Sequence, residues 1–260
     1  ACTRGMIDKP VSIDAIKKFV ADLEIKSDNR YMPEKLVQSV YGEFKEKIAI
    51  IGAGPAGLSA AFYLAQMGYA PTVFEKNAIP GGMLTYGIPG YKLEKDVIEA
   101  EIEIIRQIGA EIKCGVEVGK DVTIEQLKEQ GYKAFYIAIG CQGGRRPGVA
   151  NDTAKGTDIA VNYLRESFEN KGVKFEGDVV VVGGGNVAID CARNAHRLCA
   201  KSVNMFCLET KDEMPANDEE IMEAIEENVT VNNSWGPKEV LVNDNGEVTG
   251  IVFKKCLRTV

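Results

Sequence analysis

Two short runs of this chain have the glycine spacing that lets a backbone close around a pyrophosphate. Gly52, Gly54 and Gly57 fit G-x-G-x-x-G, with Ala53, Pro55 and Ala56 between them. Gly183, Gly185 and Ala188 fit G-x-G-x-x-A, with Gly184, Asn186 and Val187 between them. The chemistry this spacing supports is binding rather than bond breaking. The first glycine makes a tight turn, the second lets main chain approach the anion, and the third lets a helix sit close on its strand. The N–H groups and positive dipole end of that helix then face the phosphates. An acid follows each run at roughly 20 residues, Glu75 and Glu209, placed to accept both hydroxyl protons of an adenosine ribose. Either run alone also reads as a glycine-rich turn of an ordinary α/β domain, so the flanking elements have to decide.

Those elements agree with the binding reading. Ile48, Ala49, Ile50 and Ile51 form an apolar run typical of a strand buried on both faces; a helix is expected over 58–67, ended by Gly68, and a second strand over 71–74. Five of the ten residues from Gly81 to Gly90 are Gly or Pro, which predicts a loop. A helix is expected over 93–109, short strands over 111–118, a Thr123-x-x-Gln126 capping box, and a buried strand over 134–139. Residues 141–149, with Arg145, Arg146 and Pro147, read as a crossing between domains. The pattern then repeats: helix over 157–168, a buried valine strand over 178–182, the second glycine run, a helix to about Leu198, and a strand over 202–207. Asn217-x-x-Glu220 caps a helix through Glu227, and a hairpin turns at Asn245-Gly246.

The 260 residues and 45% hydrophobic content suit one large or two modest domains with a sizeable core. A net charge of −7 argues against nucleic-acid or membrane-surface partners, and no apolar run has the length of a membrane span. No signal peptide is visible, although the chain reads as starting mid-protein. The seven cysteines contain no C-x-x-C pair, which fits reduced thiols in the cytoplasm. Cys191 and Cys199 read as small core residues of one helix. His196, the only histidine, reads as packing or surface. Residues 11–23 have helical apolar spacing with Ser12 as a candidate cap, yet the first 45 residues cannot make a core alone.

Two dinucleotide sites in one chain point to electron transfer between a flavin and a nicotinamide. On this ground, and through GAGPAG (52–57), PGGMLTYGIP (80–89), YIAIG (136–140), GGGNVAIDCAR (183–193) and DEMPANDEEI (212–221), the chain resembles the two-dinucleotide-binding flavoprotein oxidoreductases. Within them it is most similar to the glutamate synthase small (beta) subunit and its relatives. The resemblance implies an α/β fold of two Rossmann-like domains. These comprise an FAD-binding part over 46–148 and an NAD(P)-binding part over 149–260, after a helical remnant of an iron–sulfur domain over 1–45. It implies FAD at Gly52, Ala53, Gly54, Pro55, Ala56, Gly57, Glu75 and Lys76, with Gly82, Met83 and Leu84 along the ribityl chain and ring, Val118 near the adenine and Gly140 near the pyrophosphate. A packed loop is the other reading of Met83 and Leu84. The nicotinamide nucleotide falls to Gly183, Gly184, Gly185, Asn186, Val187 and Glu209.

NADPH-using relatives carry an arginine pair where this chain has Leu208, Glu209, Thr210 and Lys211. A carboxylate about 4 Å from a phosphate charge costs roughly 4 kcal/mol at an effective dielectric near 20, so NAD(H) is expected, with Arg193, Arg197 and Lys211 available to soften the repulsion. No protein acid or base is required for hydride transfer between the two cofactors. With no redox cysteine pair, electrons are expected to leave the flavin singly for iron–sulfur clusters in partner subunits. The resemblance makes Cys2 the last ligand of a [4Fe-4S] cluster whose other ligands lie upstream. It also implies that the chain is incomplete at its C-terminal end. A non-catalytic scaffold fragment, and a flavoenzyme of the same fold reducing a small organic substrate, are the competing readings.

Overall fold

The computed structural model describes residues 3–27, 30–34, 44, 46–169 and 174–257. The chain divides into two compact units, Ala1–Gly81 with Glu94–Ile139, and Gly82–Leu93 with Gly140–Val260.

The first unit opens with α1 (Ile13–Ile25), followed by β1 (Lys47–Ile51), α2 (Pro55–Gln66) and β2 (Ala70–Glu75). The one-turn α3 (Met83–Tyr86) belongs to the second unit; α4 (Lys95–Gln107), β3 (Glu111–Cys114), α5 (Ile124–Glu129) and β4 (Tyr132–Ile137) complete the first. Its four strands run parallel in the order β3-β2-β1-β4. β1 therefore lies inside the sheet, and the strand order reverses beside it. That reversal opens a crevice at the C-terminal strand ends, where α/β sheets bind ligands. Ile50 and Val73 are fully buried, and Thr123 and Gln126 close the reciprocal cap of α5 that their spacing predicts.

The second unit continues with α6 (Ala160–Phe168), β5 (Asp178–Val182), α7 (Asn186–Arg197), β6 (Ser202–Phe206), α8 (Asp218–Glu226), β7 (Thr230–Asn232), β8 (Trp235–Val242) and β9 (Val248–Lys255). β5, β6 and β7 form a parallel sheet in that order, and β8 and β9 the antiparallel hairpin, with Gly246 at φ +72° in its turn. Ile189, Val203, Met205, Ile221 and Ala224 pack its core. The α/β class with two parallel sheets is as the sequence predicts.

Several expectations change. The loop predicted over 81–90 contains the α3 turn, because Gly82 at φ +57° lets the chain enter it. β4 and β5 are less buried than their apolar runs suggest. Each ends its sheet, and Ile137, Val180 and Val182 are exposed by 59%, 42% and 42%. Ser12 and Asn217 stand at the N-cap positions of α1 and α8, but neither side chain caps its helix. Cys199 lies past the end of α7 at φ +67° and is exposed, whereas Cys191 is buried as predicted. α1 forms where its spacing places it, but its apolar stripe is not buried: Phe19 is 64% exposed.

Candidate functional site

In the first unit the glycine run turns sharply out of β1. Gly52 has φ +104°, donates its N–H to the Phe74 carbonyl at 2.8 Å, and has no room for a side chain: a Cβ there would lie 2.4 Å from the Ala138 carbonyl oxygen. Gly57 is tighter still, since its Cβ would lie 1.9 Å from the Gly52 carbonyl oxygen. α2 thus sits directly on the loop, starting at Pro55, three residues before the predicted start. Gly54 is its N-cap, and no side chain caps it. Its first-turn N–H groups beyond Pro55 are left without a side-chain cap, as an anion site requires.

Glu75, 5% exposed at the end of β2, reaches back to this loop. Its Oε2 accepts the Ala53 N–H at 2.8 Å, and its Oε1 accepts the Asn77 N–H at 2.8 Å and the Asn77 Nδ2 at 2.7 Å. A carboxylate has about four acceptor sites, so one is left for a ribose hydroxyl. Glu75 therefore shapes the loop whatever else it does. Glu75→Gln turns an amide N–H toward a backbone N–H, and an expected loss of about 1–2 kcal/mol can be checked by urea unfolding; an unchanged midpoint would show that the carboxylate does not hold the loop. Lys76 is exposed and Val118 half-buried against the small core of Ala49, Phe74, Leu127 and Tyr132.

Gly82, Met83, Leu84 and Gly140 lie in the second unit. The Met83 side chain folds over Gly87, where a Cβ would meet its Cε at 2.2 Å. Gly140 is exposed at φ +68°.

The second glycine run follows the same plan. Gly183 at φ +137° donates to the Phe206 carbonyl at 2.9 Å, and Gly185 is the N-cap of α7, again without a side-chain cap. A Cβ on Gly184 would lie 3.0 Å from Glu209 Oε2, so the acid at the strand end stands against the loop. Asn186 Oδ1 accepts the Asn217 N–H at 2.9 Å, and the Gly184 carbonyl accepts the Ala216 N–H at 3.1 Å; these tie the loop to the start of α8. Val187 is 51% exposed. A cavity of about 430 Å³ opens here, lined by Gly183, Gly184 and Glu209 together with Arg145, Trp235 and Lys254.

The last three were invisible as site residues in the sequence. The arginines at 145 and 146 read as part of a crossing, and Lys254 as one end of a hairpin. The hairpin is fixed here because the Trp235 N–H donates to the Cys207 carbonyl at 2.8 Å and Phe253 stacks on Phe206 with centroids 3.9 Å apart. Conversely, Arg193 and Arg197 are withdrawn from the nucleotide: both pair with Glu227, and Arg193 also with Glu223.

Residues 46–254 match the pyridine nucleotide-disulphide oxidoreductase family. The chain belongs to that family. Among curated members it is 40% identical, over 99% of its length, to the NADP(+)-dependent formate dehydrogenase subunit beta of Moorella thermoacetica, covering 38% of that protein. It is 37% identical over its whole length to the glutamate synthase [NADPH] small chain of Escherichia coli, covering 55%. It is also 35% identical over 92% of its length to the NAD-dependent dihydropyrimidine dehydrogenase subunit PreT of Escherichia coli, covering 56%. The chain thus spans between 38% and 56% of these relatives. Among solved structures its fold matches Mycobacterium tuberculosis FprA in complex with NADPH at a TM-score of 0.67 and 18% identity, covering 81% of this chain and 63% of that one. T. acidophilum thioredoxin reductase matches at 0.62 and 22%, with 82% and 72% covered. Membership confirms the resemblance read from the glycine runs. The disulphide in the pyridine nucleotide-disulphide oxidoreductase name finds no counterpart among the described cysteines, which are all free thiols. Cys2, expected as a cluster ligand, lies outside the described residues, and among the described residues no cluster of His, Cys, Asp and Glu could hold a metal. No described helix is long and apolar enough to cross a membrane.

Proposed function

We propose that this chain is the dinucleotide-handling part of a flavoprotein oxidoreductase that moves hydride between NAD(H) and FAD and passes single electrons to iron–sulfur clusters of a larger complex. One observation carries the reading: the same device occurs twice. Each parallel sheet ends its first strand in a glycine turn, an uncapped helix N-terminus and a carboxylate against the loop.

The first loop suits a pyrophosphate, because Gly52 and Gly57 pack its backbone too closely for side chains and the N-terminus of α2 behind it is left without a side-chain cap. The N–H groups of Ala56 and Gly57 would hold the FAD phosphates, with Ala53 and Pro55 shaping the turn and the spare acceptor of Glu75 taking the ribose. Lys76, Gly82, Met83, Leu84, Val118 and Gly140 are assigned to FAD through the family. Bound FAD supplies a two-electron acceptor that can release its electrons one at a time. In the second loop the N–H groups of Gly185, Asn186 and Val187 would face the nicotinamide dinucleotide, and Glu209 would accept from its ribose diol. Asn186 does so as a main-chain donor, since its side chain is committed to Asn217. The lack of a C-x-x-C pair in the sequence supports single-electron exit and a reducing, cytoplasmic setting. Relatives that are themselves subunits, and the uncovered stripe of α1, support a partner-bound chain.

The test is the absorbance of the purified intact protein: oxidised flavin at about 450 nm, bleached anaerobically by NADH faster than by NADPH. Glu209→Gln should raise the preference for NADPH by about tenfold, or about 1.4 kcal/mol. A colourless protein, or a wild type that favours NADPH in kcat/KM, would refute the cofactor or the nucleotide assignment respectively.

A further inference from the structure

Six arginine and lysine residues stand near the second glycine loop in sequence or space; three are spent, and Lys211, two residues past Glu209, does not line its cavity. Arg193 and Arg197 are paired with α8. Arg146 donates to the Asp152 carbonyl and to Thr157 Oγ1. Arg145 and Lys254 are different. Both are exposed, both line the cavity that Gly183 and Gly184 floor, and neither side chain has a hydrogen bond or ion pair with any described residue. They come from separate elements on well-tied backbone. The turn after Arg145 is closed by the Gly148 N–H donating to Asp152 Oδ2 at 2.8 Å. The segment beyond it is bridged to the hairpin through Ala150 and Glu239, the Val240 N–H donating to the Ala150 carbonyl at 3.0 Å. Lys254 pairs in register with Gly236, itself a cavity residue.

Two unspent cations lining one cavity repel unless an anion lies between them. The single acid of the cavity, Glu209, neutralises at most one. We propose that Arg145 and Lys254 form a phosphate clamp for the adenosine half of the dinucleotide, supplying positive charge from the crossing and the hairpin to the cavity that holds Glu209. The inference rests on the nucleotide reading of this site. The phosphate gripped is either the pyrophosphate, common to NADH and NADPH, or the 2′-phosphate. In the second case the clamp offsets Glu209 and admits NADPH as a slower substrate.

Trp235, the one tryptophan of the sequence, lines the same cavity, so its fluorescence reports occupancy. The experiment titrates the intact protein and its Arg145→Gln/Lys254→Gln variant with 5′-AMP, ADP and 2′,5′-ADP at low and high salt. Because both side chains are exposed and unpaired, the variant should melt with the wild type. The clamp predicts that charge removal weakens binding by about tenfold per cation and flattens the salt dependence. Weakening of ADP and 2′,5′-ADP alike assigns the clamp to the pyrophosphate, and weakening confined to 2′,5′-ADP assigns it to the 2′-phosphate. If the wild type binds these nucleotides and the variant binds them equally well, the clamp is refuted while the site stands. If the wild type binds none, the nucleotide site itself fails and the clamp with it.

Discussion

Gly57→Ala should lower the melting temperature of the first unit by about 10 °C, for a loss of about 3 kcal/mol, and remove any flavin with it. The added methyl carbon would start 1.9 Å from the Gly52 carbonyl oxygen and 3.3 Å from Ile50 Cγ2. Neither neighbour can retreat. Gly52 is held by its hydrogen bond to Phe74, and on its other side the chain runs against Ala138. Relief therefore requires α2 to lift off β1, which opens the sheet centre where Ala49 and Ile50 are fully buried. The second unit provides the control. Its third motif position is already Ala188, whose Cβ would be 3.5 Å from a Cβ built on Gly183, an ordinary contact. Ala188→Gly should cost only the helix-propensity difference of about 1 kcal/mol. Thermal melts of both variants decide the point; a Gly57→Ala protein melting within about 2 °C of wild type would mean that helix and strand do not approach this closely.

The contrast between these loops also shows what the sequence can convey. The glycine turns, the acids behind them and the capping box at Thr123 were legible because each depends on a few consecutive residues or on one short strand–helix–strand unit. Burial of β4 and β5 was misread because an apolar run has the same appearance at the edge of a sheet as inside it. Only strand order, a long-range property, separates the two. The capping box expected at Asn217 fails for a similar reason. The residue type is right, but the Asn217 N–H is drawn to Asn186, and the carboxylate of Glu220 that would close the box goes to Lys92. Arg145 and Lys254 lie far apart in sequence and line one cavity because the hairpin is pinned to β6; no local pattern could have joined them.

Lys92→Met should destabilise the second unit by about 3 kcal/mol, the lower end for breaking a buried ion pair, because some water still reaches the group. Lys92 Nζ bonds Asp190 Oδ1 at 2.8 Å and Glu220 Oε1 at 2.9 Å, tying the Gly82–Leu93 segment to α7 and α8. Asp190 is 8% exposed, and the other oxygen of Glu220 is buried without a hydrogen bond. Beside them Tyr91 lies under the guanidinium groups of Arg193 and Arg197, at 4.9 and 4.2 Å. Methionine keeps the length of the stem but leaves two mostly buried carboxylates without their shared cation. The pH dependence separates this from a simple packing defect. Burial already pushes the Asp190 carboxyl above its usual range, with Lys92 only partly offsetting it, and loss of the ammonium pushes it further. A carboxyl raised in the folded state is a cost above its folded pKa that disappears as pH falls through that value. The gap between variant and wild type should therefore be widest near neutral pH and shrink as pH falls through the raised Asp190 value, where that acid takes up its proton. For Lys92 itself burial pulls the ammonium down but its two acidic partners outweigh this, so its contribution is complete below its ordinary value and lost only as pH rises through the raised one. Melting curves of both proteins across that acidic window carry the test. A gap that stays constant with pH would mean that Lys92 acts through its methylene stem and not through its charge.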